Sequence, residues 1–267
     1  MLSLQLVNQP TTYKVNKLMI RIITLITIAL LMVFTAKAQV FNGSFEIASC
    51  PTLIAQSPDG WQNVRCDIDL ISGCVPSGQA DYSNIGTPCN WFGCQQPQDG
   101  QNYIAICLGS TQPEVREWVR GEIDAMVKDS VYLVQFYYSR ADRYQMACNN
   151  MGVYFGTIPY QNPYLIDYSG IDYSKVIYSR ETVIDTTNWI LFSQYYFAKG
   201  GETVINLGNF FPDYLTKYVD YGSEFLYAYY YIDNLSVTRV MATDIKEYQV
   251  LKPKPIINFN LLGQITK

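Results

Sequence analysis

The chain contains no histidine. That absence removes Ser-His-Asp and Cys-His nucleophile systems, histidine-ligated zinc and the usual proton shuttle near neutral pH. Carboxylates, cysteines and aromatic rings remain. Asp67, Asp69, Asp213, Asp220 and Glu224 are the residue types of a glycosidase carboxylate pair. No spacing sets two of them across a scissile bond, and solvated loop acids on an acidic protein are the simpler reading. GxSxG, P-loop and dinucleotide fingerprints are absent, so the chain is not expected to be an enzyme; a histidine-free glycosidase or lyase ranks third among the readings.

Aromatic side chains are the stronger signal, with 23 tyrosines in 267 residues. Trp61, Trp91, Tyr138, Tyr144, Tyr154 and the tyrosines of 221–231 offer faces on which sugar rings stack, although most are expected to pack in the core or on strands. The candidate ligand contacts are in the loops after Gly86 and after Ser139, where Trp91, Arg140, Tyr144 and Asn149 combine a stacking face with hydrogen-bond donors.

The seven cysteines all lie between Cys50 and Cys148. In an exported protein they read as disulfides, and any six of them pair in 15 ways. Cys50–Cys74 and Cys89–Cys94 are favoured because each closes a turn-rich segment. Cys89-x4-Cys94 is near zinc-ligand spacing, but no second C-x-x-C follows.

Export itself is read from residues 1–38. Lys14, Lys17, Arg21 and Lys37 stand there without an acid, and an apolar run from Ile22 to Phe34 precedes Ala36-Lys37-Ala38. This is the pattern of a signal peptide, with Met1 or Met19 as the start, and the run is too short for a permanent membrane anchor. Leaving out those four basic residues leaves 15 Lys and Arg against 23 acids, a net charge of −8. Nucleic acid is a poor partner for such a surface. The expected location is secreted or cell-surface.

The elements that must position these groups are strands. Val131–Phe155 is the organising stretch, expected at the centre of a sheet: residues 131–139 alternate with both faces largely apolar or aromatic, as for a strand packed on two sides, and Met151, Val153 and Phe155 repeat the period of two. The polar segment between them reads as a loop held out by the strands. Asn102–Leu108, Trp189–Phe197, Thr203–Leu207 and Tyr227–Val240 are further strands, with a hairpin signal at Ala198-Lys199-Gly200-Gly201-Glu202. Residues 212–224 read as a second polar loop. Val115, Trp118, Val119, Ile123, Met126 and Val127 have helical spacing, although Gly121 opposes a helix.

Three landmarks, NGSFE at 42–46, FYYSRAD...NNMGVYF at 136–155 and YYYIDNLSV at 229–237, together resemble carbohydrate-binding-like jelly rolls of the galactose-binding superfamily. PQDG at 97–100, REWV at 116–119, DTTNW at 185–189 and GGETVINLGNF at 200–210 resemble more narrowly an exported domain of Bacteroidetes surface proteins. The resemblance implies an all-β jelly-roll sandwich of two antiparallel sheets over 39–242, with 115–127 extended. It implies a non-catalytic module for glycan or another cell-surface ligand; the alternative is a structural or adhesive surface protein without a small ligand. It also implies a structural calcium ion held by Glu46 and Asp233, against the rival that Asp233 accepts turn amides and Glu46 is solvated. After a Lys-Pro-Lys-Pro linker, Ile257–Gln264 resembles the opening of a type IX secretion sorting tail, making that machinery a candidate partner, although the chain stops at Lys267 where such tails continue.

Overall fold

The computed structural model describes residues 40–78, 84–144, 146–158, 167–222 and 225–240, together with two short strands near the C-terminus. The expected leader, Glu224 and nearly all of the sorting-like tail lie outside the described residues. Lys37–Lys267 forms one compact unit on its own contacts. No helix among the described residues is long and apolar enough to cross a membrane.

The strands in chain order are β1 (Trp61–Arg65), β2 (Asp69–Ser72), β3 (Cys89–Asn90), β4 (Gly93–Cys94), β5 (Asn102–Ser110), β6 (Trp118–Glu122), β7 (Val131–Arg140), β8 (Met146–Cys148), β9 (Gly152–Tyr154), β10 (Val176–Tyr178), β11 (Ile190–Phe197), β12 (Val204–Gly208), β13 (Tyr218–Asp220), β14 (Tyr227–Arg239), β15 (Asn258–Phe259) and β16 (Ile265–Thr266). Two five-stranded sheets face each other. The front sheet runs β11-β7-β14-β5-β2 and the back sheet β1-β6-β12-β9-β10, with antiparallel pairing throughout. This is the expected all-β sandwich of the jelly-roll kind.

The core between the sheets takes one side of each strand. Tyr132, Val134, Phe136 and Tyr138 of β7 join Ile104 and Ile106 of β5 and Phe192 of β11 against Val119, Val153, Ile205 and Leu207 of the back sheet. Phe136 stacks on Phe192 at 4.4 Å between ring centroids. On β7 the odd-numbered Leu133, Gln135 and Tyr137 are half-buried, the alternation of a strand covered mainly on one face. β5 differs. All nine of its residues are buried, because the segment around β3 and β4 lies over its outer face as Phe92 and Ile85 pack on Tyr103, Ala105 and Cys107.

Several expectations need correction. The 139–150 segment is not held out by its flanking strands: Tyr144, Met146, Ala147 and Cys148 are buried, and β8 pairs with β13. That β13 also falls within the stretch read as a polar loop at 212–224. Strands β7 and β9 belong to different sheets, and so do β11 and β12, so the 198–202 segment crosses between the sheets instead of closing the expected hairpin. At 115–127 the strand reading holds for Trp118–Glu122.

The chain ends of the sandwich meet at a bulge in β14. Between Asp233 and Ser236 the pairing with β7 shifts register, and Asn234 takes φ 52°. There the Leu235 N–H donates to the Gly43 carbonyl at 2.8 Å. A Cβ at Gly43 would lie 2.1 Å from the Leu235 carbonyl oxygen, so only glycine permits this approach.

Candidate functional site

The β3–β4 hairpin is closed at its base by the Cys89–Cys94 disulfide, and Cys50 is joined to Cys74. Its tip carries two aromatic residues with opposite fates. Phe92 is 1% exposed and inserts against Tyr229 at 4.7 Å between centroids. The fully buried Asn90 anchors it further by donating to the Tyr103 hydroxyl at 3.0 Å and accepting from the Tyr231 hydroxyl at 3.0 Å. Trp91, next to this anchor, remains half-exposed at the rim.

The loop after β7 grips the same hairpin. The Cys94 N–H donates to Asp142 Oδ1 at 2.8 Å. The Arg143 N–H donates to the Phe92 carbonyl at 3.2 Å, and its Nη1 to the Trp91 carbonyl at 3.0 Å. The guanidinium carbon then lies 3.9 Å from the centre of the Trp91 ring and 5.5 Å from that of Phe225, a cation–π arrangement. Beside this rim is a cleft of about 400 Å³ lined by Pro88, the Cys89–Cys94 bridge, Gln95, Gln96, Asp142, Thr186 and Thr187. The cleft lining thus offers amide, hydroxyl and carboxylate groups.

Of the residues singled out from the sequence, Trp91 lies at this rim. Tyr144 is 5% exposed and packs beneath it against Phe225 and Tyr229. The Arg140 guanidinium is turned inward, with Nη1 donating to the Tyr144 carbonyl and Nε to the Ile184 carbonyl at 3.2 Å. Asn149 belongs elsewhere: it exchanges bonds with the Lys217 backbone at 2.8 and 3.2 Å. Sequence reasoning missed Arg143. Arg140 is the last residue of β7, and a guanidinium reaches the Trp91 face from the loop beyond that strand end.

Glu46 and Asp233 are brought to the two ends of one turn. Asp233, fully buried, accepts from the N–H groups of Gln98 at 2.9 Å, Asp99 at 3.0 Å and Asn234 at 2.6 Å. Glu46 Oε1 accepts from Gln101 and Asn102 at 2.9 and 2.8 Å. Burial pushes the Asp233 carboxyl up to about 7, the amides oppose this, and the Glu46 charge adds to it. Among the described residues no group of three or more His, Cys, Asp or Glu forms a metal cage. Three of the four carboxylate oxygens thus already face backbone N–H groups, the arrangement the rival reading gives for Asp233.

A second acid pair, the buried Asp69 and the half-buried Glu117, meets at Tyr229. The Tyr229 hydroxyl lies 3.0 Å from Asp69 Oδ2 and 3.3 Å from Glu117 Oε1. One hydroxyl proton serves only one of these acceptors, so the other contact requires a protonated carboxyl. Burial raises Asp69 to about 6; Glu117 is raised well above the usual range by burial and then by Asp69. With Asp69 only 4% exposed, the pair is a structural clasp. A raised folded-state value means stability that is complete below about pH 4 and lost as pH rises through about 6. The expected loss is up to roughly 3 kcal/mol. Thermal midpoints between pH 4 and 7 should fall more steeply for the unsubstituted protein than for Asp69→Asn; parallel profiles would count against the clasp.

No protein-family model matches the chain, and no curated protein matches it. Solved structures similar in fold include the CBM22-1 xylan-binding domain of Paenibacillus barcinonensis Xyn10C, at 13% identity over 78% of this chain and 97% of that one, TM-score 0.38. TmCBM61 in complex with beta-1,4-galactotriose matches at 14% identity over 77% and 100%, TM-score 0.33. The K2 cleaved adhesin domain of Lys-gingipain matches at 12% over 76% and 100%, TM-score 0.37.

Proposed function

We propose that the chain is an exported, non-catalytic binding module whose ligand is a glycan, taken at the rim where the β3–β4 hairpin meets the 141–144 loop. The observation that carries this reading is the half-buried Trp91 indole, with the Arg143 guanidinium over its ring, on the hairpin whose Cys89–Cys94 base lines a polar cleft. A pyranose has an apolar C–H face and a girdle of hydroxyls, which is what a ring face beside amide and carboxylate groups complements. The chain's lack of histidine and the burial of Asp69 fit binding better than hydrolysis. In the same reading, Glu46 and Asp233 hold a structural calcium ion that fixes the 97–102 turn behind the hairpin.

A glycan array with the Lys37–Lys267 unit tests this directly. Substitution Trp91→Ala is expected to weaken binding to any glycan so identified by about tenfold or more, the effect of removing a central aromatic anchor. Absence of binding across a broad array, or unchanged binding by a folded Trp91→Ala protein, would sink the reading.

A further inference from the structure

The cleft at the base of the β3–β4 hairpin has two walls, and each is held by an acid. On one, Asp142 Oδ1 accepts from the Cys94 N–H at 2.8 Å. A Cβ at Gly93 would lie 1.6 Å from that oxygen, so only glycine lets the carboxylate come this close to the hairpin. The second oxygen, Oδ2, makes no bond among the described residues, and Asp142 is exposed.

On the other wall Asp185 accepts from the Thr187 N–H at 2.8 Å and from the N–H and the side-chain amide of Asn188, both at 2.9 Å. Those bonds, the Asn188 side chain foremost, hold the Asp185 carboxyl below the usual carboxylate range. The Trp189 indole donates to the Gln96 carbonyl at 2.8 Å and ties this wall to the residues that follow the hairpin. The charges are therefore one-sided. Asp142 lines the cleft and Asp185 is bonded to Thr187 of the lining, while the described residues of the lining include no Lys or Arg. Arg143 is directed elsewhere, 3.9 Å from the centre of the Trp91 ring, with Nη1 donating to the Trp91 carbonyl at 3.0 Å.

We propose that Asp142 determines specificity in this cleft: it accepts a hydroxyl of an uncharged sugar and repels sugars that carry carboxylate, sulfate or phosphate. The inference rests on the glycan reading of the site. A carboxylate with one oxygen engaged keeps lone pairs on the other, and a sugar hydroxyl supplies the proton for a charge-assisted bond. An acidic substituent brings a further anion to walls that hold two acids and no cation. Like charges set against each other are an effective way to refuse a partner, and the net negative charge of the chain adds to the repulsion at longer range.

The test is titration of the Lys37–Lys267 unit with a neutral oligosaccharide identified on the array and with counterparts of the same backbone in which single units carry a carboxylate or a sulfate. At low salt the acidic counterparts are expected to bind about tenfold more weakly or worse. The gap is expected to narrow at about 1 M salt, where the Debye length is about 3 Å, and in Asp142→Asn, which keeps Oδ1 for the Cys94 N–H. Acidic counterparts that bind as tightly as the neutral glycan, or more tightly as Arg143 would favour, would overturn the inference while the glycan reading stands. So would a gap that persists unchanged in a folded Asp142→Asn protein; if that protein does not fold, the salt dependence decides. An array with acidic ligands alone overturns the inference, and an array with no ligand removes it together with the glycan reading.

Discussion

In excess calcium the Lys37–Lys267 unit is expected to unfold at a clearly higher temperature than in chelator, and Asp233→Ala is expected to abolish the difference. Asp233 has no exposed surface and three backbone amides for partners, yet burial and the Glu46 carboxylate still oppose its charge. A divalent cation would reverse that opposition, turning the least comfortable acid at the chain ends into a ligand. By mass action, calcium at a thousand times its dissociation constant adds about 4 kcal/mol, which for a domain of this size is on the order of 10 °C. Because Asp233→Ala also removes amide acceptors, the informative quantity is the calcium increment within each protein. Equal midpoints with calcium and chelator in the unsubstituted protein, with no metal found by elemental analysis, would falsify the site.

Replacing Arg116 with alanine is expected to cost about 1.5 to 3 kcal/mol, the scale for hydrogen bonds to charged groups, because the two acids left behind are 36% and 28% exposed. The side chain is fully buried. Its guanidinium donates to the Phe211 carbonyl and to the carboxylates of Asp213 and Glu114, the last at 3.0 Å. Those acids are tied in turn to neighbouring elements: the Tyr168 hydroxyl donates to Glu114 at 2.6 Å and the Tyr218 hydroxyl to Asp213 at 2.8 Å. Removing the cation leaves two carboxylates and a carbonyl facing each other over a cavity, with the 112–116 and 209–218 segments joined, among the described residues, only by the reciprocal bonds between the Glu114 and Asp213 N–H groups and carboxylates. Arg116→Met keeps much of the volume and is expected to recover part of the loss. Denaturant titration of the three proteins distinguishes this from a merely exposed salt bridge, for which the change would stay under about 1 kcal/mol.

The longer strands were legible as alternating runs, but their packing was not: β7 reads as covered on both faces and is covered mainly on one, and Gly200-Gly201 marks a turn between strands of different sheets rather than a hairpin. They were less legible where both faces are covered. On β6 the adjacent Trp118 and Val119 are both buried because one packs outside the back sheet with Phe210 and the other in the central core; two-sided burial of this kind imitates helical spacing. The short β8 and β13 exist through their mutual pairing, which no local pattern announces. For the candidate site, the sequence identified the two loops and Trp91. It did not separate Arg143 from Arg140, since that depends on where the strand ends. Nor did it identify Glu117, which meets Asp69 only through tertiary packing around Tyr229.

The cover over β5 also determines where this protein is free to change over evolutionary time. A strand buried on both sides has no neutral face, so Tyr103, Ala105 and Cys107 are bound to their neighbours as tightly as any core residue. The tyrosines of β14 beneath the hairpin share that constraint. In the proposed reading, ligand preference would drift by substitution at the periphery, in Trp91, Arg143 and the cleft-lining loops, while the sheet beneath them stays fixed.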